Sequence, residues 1–235
     1  KLFSVMKNIL ARGGIEFIAV LLGLSGSLWI DGVSKNNAQR EEFYQDLIAI
    51  NNELIDDLSV VSEKIKYNEN KLTEIREFLT IFEKSKIGKE ALDTIAIFKE
   101  PLGNRSFFGK KSAYLSSKSA GNFNRTSNLK IVHSLTRLYD QTYVRMDANN
   151  KYMDDITLRD DHWTWYLSNS TRGFIYNIDE VLNAINSSEF YNWVIKNEFM
   201  FNYFIDLMKE TKKEMIETQK QLSDELNTKL KKIDE

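Results

Sequence analysis

Apolar side chains recur every three or four residues over two long stretches of the chain, between Phe43 and Phe82 and from Glu189 to about Lys232. This spacing places them on one face of an α-helix. Because each apolar face needs a partner of similar length, the pattern predicts two long helices that pair antiparallel within a bundle. The first series comprises Leu47, Ile50, Leu54, Leu58, Val61, Ile65, Leu72, Ile75 and Leu79, and the second comprises Phe201, Phe204, Met208, Met215, Leu222, Leu226, Leu230 and Ile233.

Shorter patterns fill the middle of the chain. They predict one helix over 127–150 and another that starts after Asn177. The stretch 100–104 contains the only proline and predicts a break, which a loop with aromatic anchors follows at 107–109. Polar residues at 31–37 predict a short hinge before the first long helix.

An apolar segment precedes this hinge. Residues 15–33 contain only two charged side chains, Glu16 and Asp31. A helix of this length rises about 28 Å, close to the roughly 30 Å hydrocarbon core of a bilayer. Trp29 lies near the far end, where aromatic residues favour the membrane interface. The predicted fold is therefore all-α: one N-terminal transmembrane helix followed by an elongated antiparallel helical bundle built on two long helices.

Two other interpretations of the apolar segment stay open. Lys7 and Arg12 form a basic flank, and Ser25-Gly26-Ser27 resembles a small-residue cleavage site, so the segment has the layout of an export signal. A buried helix in a soluble core has a similar composition. We expect an uncleaved anchor rather than either of these.

The charges that flank the segment predict its orientation. Positive residues favour the cytoplasmic side of a membrane, and more of them precede the segment than follow it. We therefore expect 1–14 to be a short cytoplasmic segment, 15–33 a single-pass helix in the cell inner membrane, and 34–235 one helical domain in the periplasm. The cations before the segment are Lys1, Lys7 and Arg12, and those after it are Lys35 and Arg40.

Small residues share one stripe of the predicted span. Ala19, Gly23 and Gly26 follow steps of four and three, and such residues let helix backbones approach closely in lipid. The stripe predicts self-association through these three positions, although glycine is also common in spans that do not associate. Glu16 lies on the same stripe and is a possible intramembrane ionisable site. The simpler interpretation pairs it with Arg12 at interfacial depth.

Charge and composition narrow the class of protein. The chain has 32 Lys and Arg residues against 34 Asp and Glu residues, interleaved along its length, which argues against a nucleic-acid partner. The absence of cysteine excludes disulfides and thiolate metal ligands. We expect no cofactor, and the lipid bilayer, a second copy of the chain and other envelope membrane proteins as partners.

Few residues suggest chemistry. An acidic cluster lies beside Trp163 and Trp165, but its spacing matches neither a calcium-binding loop nor a histidine pair one helical turn apart. We interpret it as a solvated face beside buried tryptophans, and His133 as a core histidine. With no catalytic motif in the chain, we expect that the protein is not an enzyme and binds no metal. The cluster comprises Asp154, Asp155, Asp160, Asp161 and His162.

An aromatic run at 199–208 is apolar on more than one side of its helix. We expect Phe201, Phe204 and Met208 to fill the thick part of the bundle, where several helices surround them. The alternative is a ligand pocket or partner surface that these residues form together with Trp163 and Trp165.

Two strings resemble an uncharacterised family of single-pass membrane proteins from Bacteroidota: GGIEFIAVLLGLSGSLWIDGVSKNNAQREEFYQDLIAINNELIDDL and SAYLSSKSAGNFNRTSNLKIVHSLTRLYDQTY. In that family a short span preceded by Glu leads into a helical extracytoplasmic domain. The resemblance implies this fold and topology, and it implies no activity. The matching positions of the second string are Ala113, Tyr114, Gly121, Asn128 and Tyr139.

Three functions agree with these patterns. The first is a membrane-anchored, oligomeric helical scaffold or accessory subunit of a membrane complex. The second is a homo-oligomeric ion-conducting or force-responsive channel in which Glu16 faces the axis. The third is a ligand-sensing extracytoplasmic domain.

Overall fold

The computed structural model describes residues 2–92, 103–126, 128–159 and 178–234, with side chains described at 17, 20–90, 103–124, 126, 128–156 and 178–228. The regular elements in these ranges are all helical. The bundle of helices that the sequence predicts is therefore confirmed. In chain order the helices are α1 (Leu2–Lys84), α2 (Lys89–Leu92), α3 (Ser112–Ser119), a 3₁₀ helix (Asn122–Arg125), α4 (Leu129–Thr136), a π-helical turn (Arg137–Thr142), α5 (Tyr143–Arg159), α6 (Ile178–Ile185) and α7 (Ser188–Asp234).

Helix α1 contains 83 residues and rises about 125 Å along its axis. It includes the predicted helix between Phe43 and Phe82. The predicted hinge at 31–37 is wrong, because the helix runs through it without a break. Aspartate, glycine and asparagine each cost about 1 kcal/mol or less relative to alanine inside a helix, and no proline interrupts this stretch.

Helix α7 contains 47 residues and pairs antiparallel with α1. The Tyr44 hydroxyl donates to the carbonyl oxygen of Leu226 at 2.5 Å. Farther along α1, Arg76 Nε donates to Glu198 Oε1 at 2.8 Å. Residue numbers thus rise along α1 as those of its partners fall along α7, which confirms the predicted antiparallel pair of long helices.

Two hydrophobic clusters form the core. The larger one joins α1, α7 and the middle of the chain, and the smaller one joins the C-terminal part of α1 to α6 and the start of α7. Both use the apolar stripes that the sequence predicts, because an amphipathic helix gains stability mainly by burying its apolar face. The fully or nearly fully buried members from α1 are Leu47, Ile50, Leu54, Val61, Ile75 and Phe78, and those from α7 are Phe190, Val194, Phe201, Phe204, Met208, Met215 and Leu222.

The shorter predicted helices are also present, with different bounds. The helix expected over 127–150 is α4, the π-helical turn and α5 in succession, and it ends at Arg159. The Asn128 side chain begins α4 by accepting a hydrogen bond from the Ile131 amide at 3.4 Å. The helix expected after Asn177 is α6.

Within the residues that the structure describes, no helix is long and apolar enough to cross a membrane. The predicted span starts at Ile15, whereas the described side chains start at Phe17 and omit positions 18 and 19. Most of the predicted break at 100–104 and the tryptophans Trp163 and Trp165 lie outside the described residues.

Candidate functional site

The N-terminal part of α1 carries apolar side chains that no other described part of the chain covers. We call residues 17–33 the apolar arm. Each of its described large apolar side chains is at least 44% exposed, whereas the apolar stripe of α1 after Phe43 is buried. These side chains point to all sides of the helix, which is typical of a helix surrounded by protein or by lipid. They are Phe17, Val20, Leu21, Leu22, Leu24, Leu28, Trp29, Ile30 and Val33.

Gly23 and Gly26 lie within the arm. No described atom of the chain comes within 4 Å of the position that a Cβ at either residue would take. A second helix could therefore approach both glycines closely. The side chains of Ala19 and Glu16 lie outside the described residues, so the third member of the small-residue stripe and the possible ionisable site at Glu16 stay predictions.

A polar stripe on α1 holds the segment 103–126, which we call the crossing segment. Asp46, Glu53, Asp57 and Asn68 follow steps of seven, four and eleven and so share one side of the helix. The apolar periodicity does not reveal this stripe, although its members interrupt the apolar repeat of α1. Their hydrogen-bond partners, in the same order, are the Asn122 amide group (2.6 Å), the Ala113 backbone N–H (3.2 Å), the Lys110 backbone N–H (2.8 Å) and both backbone polar groups of Arg105.

Asn68 is fully buried, and its side chain forms hydrogen bonds with the backbone of the loop before α3. Its Nδ2 donates to the Arg105 carbonyl oxygen at 3.0 Å, and its Oδ1 accepts from the Arg105 N–H at 3.0 Å. Buried backbone groups need such partners because an unpaired one is strongly destabilising. This pair fixes the register of the crossing segment on α1.

Three tyrosines, one of them in the crossing segment, pack together and form what we call the tyrosine cluster. The rings of Tyr114 and Tyr139 are stacked, with centroids 4.4 Å apart. The rings of Tyr139 and Tyr143 meet edge to face, with centroids 5.1 Å apart. Tyr143 then donates its hydroxyl proton to Asp57 Oδ2 at 2.9 Å. The cluster therefore connects α3 and the π-helical turn to the polar stripe of α1.

Burial sets the protonation of this network. It raises the pKa of Asp57, although the hydrogen bonds from the Lys110 N–H and the Tyr143 hydroxyl oppose the rise. It also raises the pKa of Tyr139 and of Tyr143, and the neighbouring carboxylates raise both further. Both phenols therefore stay protonated at neutral pH, and Tyr143 acts as a hydrogen-bond donor.

The tyrosine cluster ends at an ion pair near the surface. Tyr114 donates its hydroxyl proton to Asp140 Oδ2 at 2.9 Å, and Lys118 Nζ lies 2.6 Å from the same oxygen. Partial burial opposes ionisation of Asp140, but these two hydrogen bonds outweigh it and lower the pKa of Asp140. The site thus contains two aspartates whose pKa values the fold shifts in opposite directions.

The aromatic run on α7 lies inside the core. Phe201, Phe204 and Met208 are at most 2% exposed and belong to the two hydrophobic clusters. This burial favours the packing role over the alternative of a pocket or partner surface. Trp163 and Trp165, the other members proposed for that surface, lie outside the described residues.

The remaining candidates for chemistry are separated in the fold. The sequence suggests His133 as a core histidine, but this prediction is wrong, because His133 is exposed on α4 and lines a cleft. Asp154 accepts a hydrogen bond from Ser106 Oγ at 2.8 Å, whereas Asp160 and Asp161 lie outside the described residues. Within the described part of the chain, no group of three or more histidine and carboxylate side chains could hold a metal ion.

Positions that carry the resemblance to the Bacteroidota family have structural roles here. Tyr114 and Tyr139 form the stacked pair, and Asn128 caps α4. Gly121 has φ 71°, a left-handed conformation that favours glycine. No protein-family model, curated protein or solved structure matches the chain, so its membership of that family stays a prediction.

Proposed function

We propose that this protein is a membrane-anchored helical scaffold or accessory subunit of a membrane complex in the cell envelope. The apolar arm lies in the inner membrane, with the N-terminus in the cytoplasm and the bundle in the periplasm. The observation that carries this proposal is an arm with apolar side chains on every side and no cover from the rest of the described chain. The proposal includes no catalytic activity and no cofactor.

The chemistry of the arm favours lipid as its surroundings. Burying one large apolar side chain is worth about 1.5–3 kcal/mol, so nine exposed ones make water an unfavourable medium. Asp31 is the one charged residue within 17–33, and it lies near the end of the arm that faces the bundle. Trp29 lies beside it, where an interfacial aromatic residue belongs.

The continuity of α1 supports a scaffold. The same helix forms the arm and the centre of the bundle, so the bundle is held at a fixed direction relative to the arm. Gly23 and Gly26 leave space for a second copy of the arm, which supports self-association in the membrane. Other envelope membrane proteins are the further partners of the proposal. No described side chain favours the channel alternative, because Glu16 lies outside the described residues.

Two matched leucine substitutions test the anchor. Leu24 in the arm is 60% exposed and Leu115 in α3 is 50% exposed, so neither substitution removes core packing. A lysine at the centre of a span costs about 2.5–3.5 kcal/mol, so Leu24→Lys shifts the protein from the carbonate-resistant membrane fraction to the supernatant. Leu115→Lys leaves it with the membrane. Wild-type protein in the supernatant, or equal behaviour of the two variants, contradicts the proposed anchor.

A further inference from the structure

A cleft of about 480 Å³ opens between α4, the π-helical turn and α7. This volume is within the range of small-molecule sites in proteins. The π-helical turn supplies Arg137 and Gln141 to the wall, and such turns are frequent at functional sites. Below the cleft, the Ser134 and Thr218 hydroxyls lie 3.1 Å apart and join α4 to α7.

The far wall of the cleft presents an acceptor that needs a donor. Gln221 lines the cleft from α7, and its Oε1 is buried without a hydrogen-bond partner among the described residues. A buried acceptor without a donor is destabilising, and each such group in a native structure requires an explanation. If the Gln221 side chain turns toward the cleft, a ligand hydroxyl or amino group satisfies this oxygen.

The near wall presents hydrogen-bond donors. Lys130 and His133 are three residues apart and therefore lie about one turn apart along α4. Arg137 is already held by Glu214, with Nε–Oε1 at 2.6 Å and Nη2–Oε2 at 2.7 Å. Lys130 and His133 lie on one face of α4, and each can donate a hydrogen bond to an anion in the cleft.

We propose that this cleft binds a small organic anion that also carries a hydrogen-bond donor. The anionic group, a carboxylate or a phosphate, lies against Lys130 and His133, and a hydroxyl or amino group donates to Gln221 Oε1. The ligand is water-soluble rather than a lipid headgroup. Helix α1 rises about 16 Å between Val33, where the arm ends, and Tyr44, and the contact of Tyr44 with Leu226 places Gln221 still farther from the arm.

The test uses the full chain in detergent micelles with isotope-labelled histidine. The chain contains two histidines, so His133→Gln assigns the imidazole signal. Glycerol phosphate, which combines an anion with hydroxyl donors, is titrated up to millimolar concentrations, and inorganic phosphate and glycerol are titrated separately. We expect a saturable shift of the His133 signal with glycerol phosphate, a weaker response to inorganic phosphate and none to glycerol.

Three variants separate the contributions. Lys130→Ala weakens binding of glycerol phosphate by about tenfold, the loss expected for one charge-assisted hydrogen bond. Lys151→Ala, at an exposed lysine of α5, leaves the binding unchanged. Gln221→Leu removes the preference for glycerol phosphate over inorganic phosphate. The proposal is overturned by an unshifted His133 signal, by equal losses in the two lysine variants, or by an unchanged preference in Gln221→Leu.

Discussion

The ring of Tyr114 stacks on the ring of Tyr139, with the two planes 7° from parallel. Tyr114 belongs to α3 in the crossing segment, and Tyr139 belongs to the π-helical turn. An aromatic pair of this kind contributes about 0.5–1.5 kcal/mol beyond the burial of its area. Since the polar stripe of α1 also forms hydrogen bonds with this segment, two sets of contacts attach the crossing segment to the bundle.

Gly109 is required by the packing of Tyr143. A Cβ at position 109 would lie 2.1 Å from Tyr143 Cε2, which forces the ring or the loop to move. Gly109→Ala therefore lowers the free energy of unfolding by about 1–3 kcal/mol. Gly103→Ala changes it by about 0.5 kcal/mol or less, because no described atom lies within 4 Å of the added methyl group. Urea unfolding measures both, and equal effects would contradict the described contact.

Asn68 is expected to hold the crossing segment. Asn68→Leu leaves the N–H and C=O of Arg105 without their partner at a partly buried site, which costs about 1–3 kcal/mol. We expect the Arg105 amide to be protected from hydrogen exchange in the wild type, and in Asn68→Leu to exchange at a rate close to that of an exposed loop. Asn124→Leu, at an exposed position of the 3₁₀ helix, is the control. Unchanged protection of Arg105 in Asn68→Leu would contradict the assigned role.

The two shifted aspartates predict opposite dependences on pH. The pKa of Asp57 is raised above its ordinary value of 3.8, so the free energy of unfolding falls as pH rises from below 3.8 through the folded pKa. The pKa of Asp140 is lowered, so the free energy of unfolding rises as pH rises from its folded pKa to 3.8. Asp57→Asn removes the fall and Asp140→Asn removes the rise. Urea midpoints over this pH range test both, and changes of the same sign would contradict the assignment.

Self-association through the arm is tested by two glycine variants. Gly23→Leu adds a large side chain to the small-residue stripe, so it dissociates the oligomer in detergent. Gly32→Leu is the control because position 32 lies on the opposite side of the helix from Gly23 and is equally open. Native mass spectrometry gives the masses. A monomeric wild type, or dissociation in both variants, would contradict an interface at Gly23.

The apolar periodicity correctly predicts the two long helices, whereas the hinge predicted from the polar stretch at 31–37 is wrong. The second apolar series predicts a helix from Glu189 to about Lys232, and α7 spans Ser188–Asp234. The polar stretch at 31–37 has no apolar repeat, yet its residues only weaken a helix and do not break it. A turn would need a proline or a competing set of hydrogen bonds, and helix α1 continues instead.

The tyrosine cluster could not be derived from local spacing. Tyr114 and Tyr139 are 25 positions apart, and their contact depends on how the crossing segment lies over α1. The sequence does indicate that Asp57 has a partner, since a carboxylate among buried apolar positions of a helix needs one. The identity of that partner, the Tyr143 hydroxyl, follows only from the tertiary structure.

The central claim is that lipid surrounds the apolar arm, and spin labels test this directly. The chain contains no cysteine, so Leu24→Cys in the arm and Ser119→Cys on the exposed end of α3 each give one labelled site. The full chain in a bilayer is compared for collisions with molecular oxygen, which is apolar, and with a polar nickel chelate, which hydrocarbon excludes. We expect that the label at position 24 collides with oxygen and not with the chelate, and that the label at position 119 collides frequently with the chelate. Equal access of the chelate to both labels would contradict a membrane-embedded arm.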